Sequence, residues 1–122
     1  MTVVDEDGEA ARALARREVA LYLPVVAELD PTVVIDPERL QRLKAAAAAY
    51  EFEQAATLVS DELLDRFAFA GTPAQVAEQT INLFEAGADR VEFGTPHGIS
   101  AEKGLHLLGA QTLPLVRKIL NG

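Results

Sequence analysis

The residues that could do chemistry in this chain gather in one stretch, DRVEFGTPHGIS, at positions 89–100. An apolar run ends there in Gly94, Thr95, Pro96, His97 and Gly98. His97 lies between a proline and a glycine, which reads as a loop. An imidazole there would serve as a ligand contact or proton donor, or stand as a plain surface histidine. Glu92 is the second anomaly. With period-two alternation it shares a face with Arg90, opposite Val91 and Phe93. A carboxylate at the carboxyl end of a buried strand is a candidate acid, base or hydrogen-bond anchor, unless it simply pairs with a nearby arginine. His106 stands among Leu105, Leu107 and Leu108, where packing is the expected role.

Other chemistries are excluded by type. The chain has no cysteine, which removes disulfides, thiolate metal sites and thiol nucleophiles together. No phosphate-binding glycine motif, zinc-protease helix or nucleophile elbow occurs, and no metal site is expected. No residue is singled out as catalytic. Nineteen acidic against eleven basic residues give a net charge of −8, which repels nucleic-acid backbones and anionic lipid. No apolar run approaches the roughly 20 residues that span a bilayer. The start, MTVVDEDGEAARA, lacks the pattern of a secretory signal, so a cytoplasmic protein is expected.

The elements that must position these residues follow from periodicity and punctuation. At 122 residues, 49% hydrophobic and 25% charged, the chain reads as a single domain over 1–122. Residues 1–66 read as a helical segment. A first helix covers Glu9 to Leu29, kinked or ended at Pro24. Asp36 and Pro37 open a second helix through about Ala49, as N-cap and first helical residue. The stretch after it, AAAAAYEFEQAATL, either continues that helix or begins a new one, and Ser60 caps DELLDRF.

Residues 67–122 read as two strand–helix units. Phe67–Ala70 and Arg90–Phe93 are the predicted strands, each followed by Gly-Thr-Pro, at 71–73 and again 23 residues later at 94–96. Thr72, Pro73 and Gln75 spell a capping box for a helix over 73–86 that ends at Gly87. No such box forms after Thr95, because the third position is Gly98; the segment reads as an open loop before Ser100 caps the last helix, interrupted near Pro114. A strand, a helix crossover and a second strand must be parallel. Two parallel strands alone leave open edges and uncovered faces, so the chain is expected to belong to a larger sheet or to self-associate. Ligands of parallel α/β folds bind beyond the carboxyl ends of the strands, where both Gly-Thr-Pro turns sit. The first turn reads chiefly as a well-built helix start, the second as site-lining.

The stretch LLDRFAFAGTPAQVAEQTINLFEAGADRVEFGTPHG, with GLHLLGAQTLPLVRKIL after it, resembles the C-terminal end of luciferase-like monooxygenases. The nearest branch is the deazaflavin-dependent one typified by methylenetetrahydromethanopterin reductase, and the resemblance covers residues 9–120. It implies an α/β fold: the C-terminal half of a (β/α)₈ TIM barrel, mostly helical with two parallel strands. Phe67–Ala70 would be like the seventh strand and Arg90–Phe93 like the eighth. It further implies oxidoreductase chemistry, by hydride or oxygen transfer on a small-molecule substrate, with coenzyme F420 or FMN. Gly71, Thr72, Gly94, Thr95, Pro96, His97 and Gly98 would line the cofactor-binding mouth. A typical barrel has about 250 residues, so this chain resembles a fragment of one. It is expected either to work with a chain supplying the missing strands or to be a noncatalytic half-barrel that forms homo-oligomers.

Overall fold

The computed structural model describes all residues, 1–122. In order they form β1 (Thr2–Val4), α1 (Gly8–Leu29), α2 (Pro37–Ala48), α3 (Phe52–Thr57), α4 (Asp61–Phe67) and β2 (Phe69–Gly71). Then come α5 (Pro73–Glu85), α6 (Ala101–Leu107), a π-helical turn at Leu108–Thr112 and α7 (Leu113–Asn121). The chain divides into two compact units, one of Met1–Ala15 with Ala68–Gly122 and one of Arg16–Phe67.

The unit of Arg16–Phe67 is helical. Of the two alternatives at Pro24, the end is excluded: α1 runs through it to Leu29. Asp36 accepts from the Arg39 amide and Pro37 opens α2 as predicted. The alanine-rich stretch does not continue α2. The chain turns at Tyr50, whose φ of 61° is left-handed, and α3 starts afresh at Phe52. Ser60 caps α4 through the Leu63 amide at 3.2 Å. Leu23, Leu43 and Leu64 are buried in this unit, and Tyr22 meets Phe67 edge to face.

The other unit carries the sheet, and here the strand assignments need correction. β1 was not expected, since residues 1–66 read as helical; yet Thr2, Val3 and Val4 form a buried strand parallel to β2. β2 is Phe69–Gly71, shifted from Phe67–Ala70 because α4 runs on through Phe67. Residues 90–93 join no ladder at all. The ladder on that side starts only at Gly94, whose carbonyl accepts from the Thr2 amide at 3.1 Å. The His97 amide then donates to the Thr2 carbonyl at 2.8 Å, and the His97 carbonyl accepts from the Val4 amide at 2.9 Å. β1 therefore stands between β2 and the 94–97 segment, and the two predicted strands are not neighbours.

The helices of this unit follow the sequence more closely. Thr72 and Gln75 form the full capping box of α5, and Gly87 takes φ 103° just past its end. Ser100 caps α6 through the Lys103 amide. The run from Ala101 to Asn121 widens into a π turn directly before Pro114, which has no amide to give to a standard helical bond. Thr112 at the end of that turn is fully buried, and its hydroxyl donates to the Pro73 carbonyl at 3.2 Å, fixing the last helices to the start of α5. Val4, Val76, Leu107 and Leu108 make the core against the sheet, with Phe69 and Phe93 packed on it.

Candidate functional site at the carboxyl end of the strands

The end of β1 collects residues from three directions. The Asp5 amide donates to the Gly71 carbonyl at 3.1 Å on one flank, and the Val4 amide to His97 on the other. Both Gly-Thr-Pro loops thus flank the same strand, but they reach it differently.

On the first flank, Gly71 has φ 143°, and a Cβ there would lie 2.3 Å from the Gln75 side-chain oxygen. That oxygen accepts from the Thr72 amide at 2.8 Å, while the Thr72 hydroxyl accepts from the Gln75 amide at 3.3 Å. The first-turn donors that could meet a ligand are therefore partly satisfied by the helix itself. On the second flank, Gly94, Thr95 and Pro96 run beside β1, with Gly94 next to Met1, and the Thr95–Pro96 peptide is cis. Only His97 and Gly98 reach the carboxyl end. His97 has φ 73°, and its ring Nε2 stands 2.9 Å from the Phe93 carbonyl, so Nε2 carries the proton and donates. Gly98 is buried: a Cβ there would meet the Ser100 carbonyl at 2.7 Å and Gly104 Cα at 2.8 Å. Of the seven predicted residues, Gly71, Thr72, His97 and Gly98 gather at the strand ends; Gly94, Thr95 and Pro96 lie alongside β1.

Two other readings are settled by geometry. Glu92 pairs with Arg90 at 2.6 Å, both largely exposed, so it is an ion-pair carboxylate on the surface. His106 is exposed rather than packed among its leucines; Leu107 and Leu108 turn inward in its place.

Sequence reasoning missed Asp5. It follows the last residue of β1 and is only 8% exposed. Its carboxylate accepts from the Asp7 amide at 2.9 Å and pairs with Lys103 of α6 at 3.3 Å. The Asp7 amide, against an opposing effect of burial and with help from Lys103, holds the Asp5 carboxyl below its usual range. Asp5 and Glu6 together hold the Lys103 ammonium above its usual range. The signal was the sharp change from Thr2-Val3-Val4 to Asp5-Glu6-Asp7, too short a run for its period to announce a strand. Beside it an open cleft of about 300 Å³ is lined by Glu6, Asp7, Gly8, Glu9, Arg12, Thr72 and Gln75. Of its three carboxylates Glu6 is paired with Lys103, and the other two against one guanidinium leave the cleft acidic, less favourable to a phosphate than to neutral or cationic groups. No cluster of side chains is arranged to hold a metal ion.

With this geometry in place, comparison with known proteins is decisive for the family. Residues 1–90 match the family model described as luciferase-like monooxygenase. The chain belongs to that family. It is similar to the 5,10-methylenetetrahydromethanopterin reductase of Archaeoglobus fulgidus, 32% identical over 93% of this chain and 36% of that protein. The reductase of the same description from Methanopyrus kandleri is 31% identical over 66% of this chain and 23% of its own length. Among solved structures, the coenzyme F420-dependent tetrahydromethanopterin reductase of Methanopyrus kandleri superposes with a TM-score of 0.77 at 28% identity. That superposition covers 93% of this chain and 33% of the other. The chain spans about a third of the length of the relatives it matches. Its fold is α/β, part of a (β/α)₈ barrel, mostly helical with two parallel strands. No helix is long and apolar enough to cross a membrane.

Proposed function

We propose that this chain forms part of the wall and mouth of an F420-dependent oxidoreductase barrel acting on a small-molecule substrate. The single observation that carries the reading is the likeness to the F420-dependent reductase over 93% of the chain. Coenzyme F420 is preferred over FMN for the same reason. Gly71, Thr72, His97 and Gly98 would contact the cofactor, with the remaining barrel strands supplied in the same assembly.

The residues present fit such a cofactor at its ring. Gly71 brings bare backbone to the strand ends, whereas Glu6, Asp7 and Glu9 would repel a phosphate-bearing tail. Residues outside this chain would therefore hold the tail. Bound there, the cofactor would supply hydride chemistry; this chain would contribute shape and orientation, with the His97 ring held by the Phe93 carbonyl. A second reading, a noncatalytic half-barrel, is favoured by one observation: the polar groups of Thr72, Gln75 and His97 already satisfy one another or neighbouring backbone.

Fluorescence titration with F420 and with FMN, in an assembly with the complementary barrel strands, separates the two. Binding of F420 that is weakened by Gly71→Val supports the cofactor site. Binding of neither cofactor overturns it in favour of the half-barrel.

A further inference from the structure

Asp5 is tied to both flanks of the strand ends. Its amide donates to the Gly71 carbonyl at 3.1 Å on the β2 side. Its carboxylate divides its two oxygens: Oδ1 accepts from the Asp7 amide at 2.9 Å, and Oδ2 pairs with Lys103 Nζ of α6 at 3.3 Å. Neither Asp5 nor Lys103 lines the acidic cleft beside them. Asp5 is nonetheless buried, a place an aspartate takes only when it is paired.

The same two elements grip the His97–Gly98 backbone. The His97 carbonyl accepts from the Val4 amide at 2.9 Å, and a Cβ on Gly98 would lie 3.0 Å from the Val4 carbonyl. That Cβ would lie 2.8 Å from Gly104 Cα, and one on Gly104 would lie 2.3 Å from the His97 carbonyl. The loop is thus packed against Val4 of β1 and Gly104 of α6, and Asp5 and Lys103 are the neighbours of those two residues. Ser100 accepts from the Lys103 amide at 3.3 Å, so Lys103 is held by its backbone as well as its ammonium. Glycines allow this close approach but have no side chain to lock it. The ion pair supplies the lock.

We propose that Asp5 is a positioning residue: through Lys103 it draws α6 against the end of β1 and so holds the His97–Gly98 loop in a fixed place relative to Gly71. It touches no ligand itself. Its effect on cofactor binding rests on the reading above, in which Gly71, His97 and Gly98 are contacts; its hold on the loop does not. Contacts held in place beforehand bind more tightly than the same contacts left free to shift.

The test begins with amide hydrogen exchange in the 122-residue chain, with circular dichroism to confirm folding of each variant. Asp5→Asn keeps an oxygen for the Asp7 amide but removes the charge that faces Lys103; Lys103→Met removes the other partner. Each should speed exchange of the His97 amide by about tenfold, while the Thr72 amide, bonded to Gln75 in its own turn, keeps the parent rate. Lys103→Arg should restore the parent rate, and D5N/K103M should be no faster than either single change. Glu6→Gln should change little: Glu6 also pairs with Lys103, at 3.4 Å, but it is exposed. In the assembly with the complementary strands, D5N and K103M should weaken F420 binding by about tenfold. Lys118→Met, an equal loss of charge on α7, should not. His97 exchange unchanged in both D5N and K103M would overturn the proposal, as would F420 affinity that falls equally in K118M. A parent protein that binds no F420 defeats the cofactor reading instead, and His97 exchange alone then decides whether Asp5 holds the loop.

Discussion

The same three residues, Gly-Thr-Pro, occur twice after an apolar run, and the protein uses them in two different ways. At 71–73 they start a helix: Thr72 caps, Pro73 opens α5, and Gln75 returns a bond to the Thr72 amide. At 94–96 they start nothing. The backbone continues as a ladder partner of β1 until His97, and α6 begins only after Ser100. The difference lies three residues past the threonine. Gln75 has a side chain that reaches back, whereas Gly98 has none, and its backbone is instead pressed against Gly104. A shared tripeptide therefore fixes a local turn, and the residue after it decides whether the turn belongs to a helix or to a sheet.

The largest effect that would break this contrast is expected at Gly104. A Cβ there would lie 2.3 Å from the His97 carbonyl, a backbone atom that cannot rotate away. Gly104→Ala should cost about 3 kcal/mol by overpacking, read from urea denaturation, and should loosen exchange of the His97 amide. Gly109→Ala in the same helical run, with nothing within 4 Å, is the control that should be nearly silent or slightly stabilising. Next in size is the capping box. Gln75→Ala should cost about 1 kcal/mol and fray the start of α5 while leaving the 94–98 segment unchanged.

The smallest effect appears only in acid and bears on what joins the two flanks, Asp5 and Lys103. The folded Asp5 carboxyl lies below its unfolded value of 3.8, so its contribution is present above that pH and lost as pH falls through the folded value. Asp5→Asn should therefore flatten the loss of stability below about pH 4 in thermal melts, with little change in slope near neutrality. A steep acid slope that survives in the variant would remove Asp5 from this role.

Sequence alone determined the helix boundaries wherever a side chain acts on its own neighbours. Asp36, Ser60, Thr72 and Ser100 all do what their types and spacing demand, because an N-cap side chain accepts from the amide three residues on, and Gly87 takes the left-handed backbone that follows a helix. The family was also legible there, through a motif repeated with its glycines and proline, as was the expectation of parallel strands. Tertiary structure alone decided which strands pair. A strand of three residues such as Thr2–Val4 has no measurable period, and its place between β2 and Gly94–His97 depends on partners some seventy to ninety positions away in sequence. The same long-range packing buried Asp5 against Lys103 and left Arg90–Phe93 with a strand's pattern but no ladder. Local bonds are written in neighbouring residues; register and edges are settled only when the chain returns upon itself.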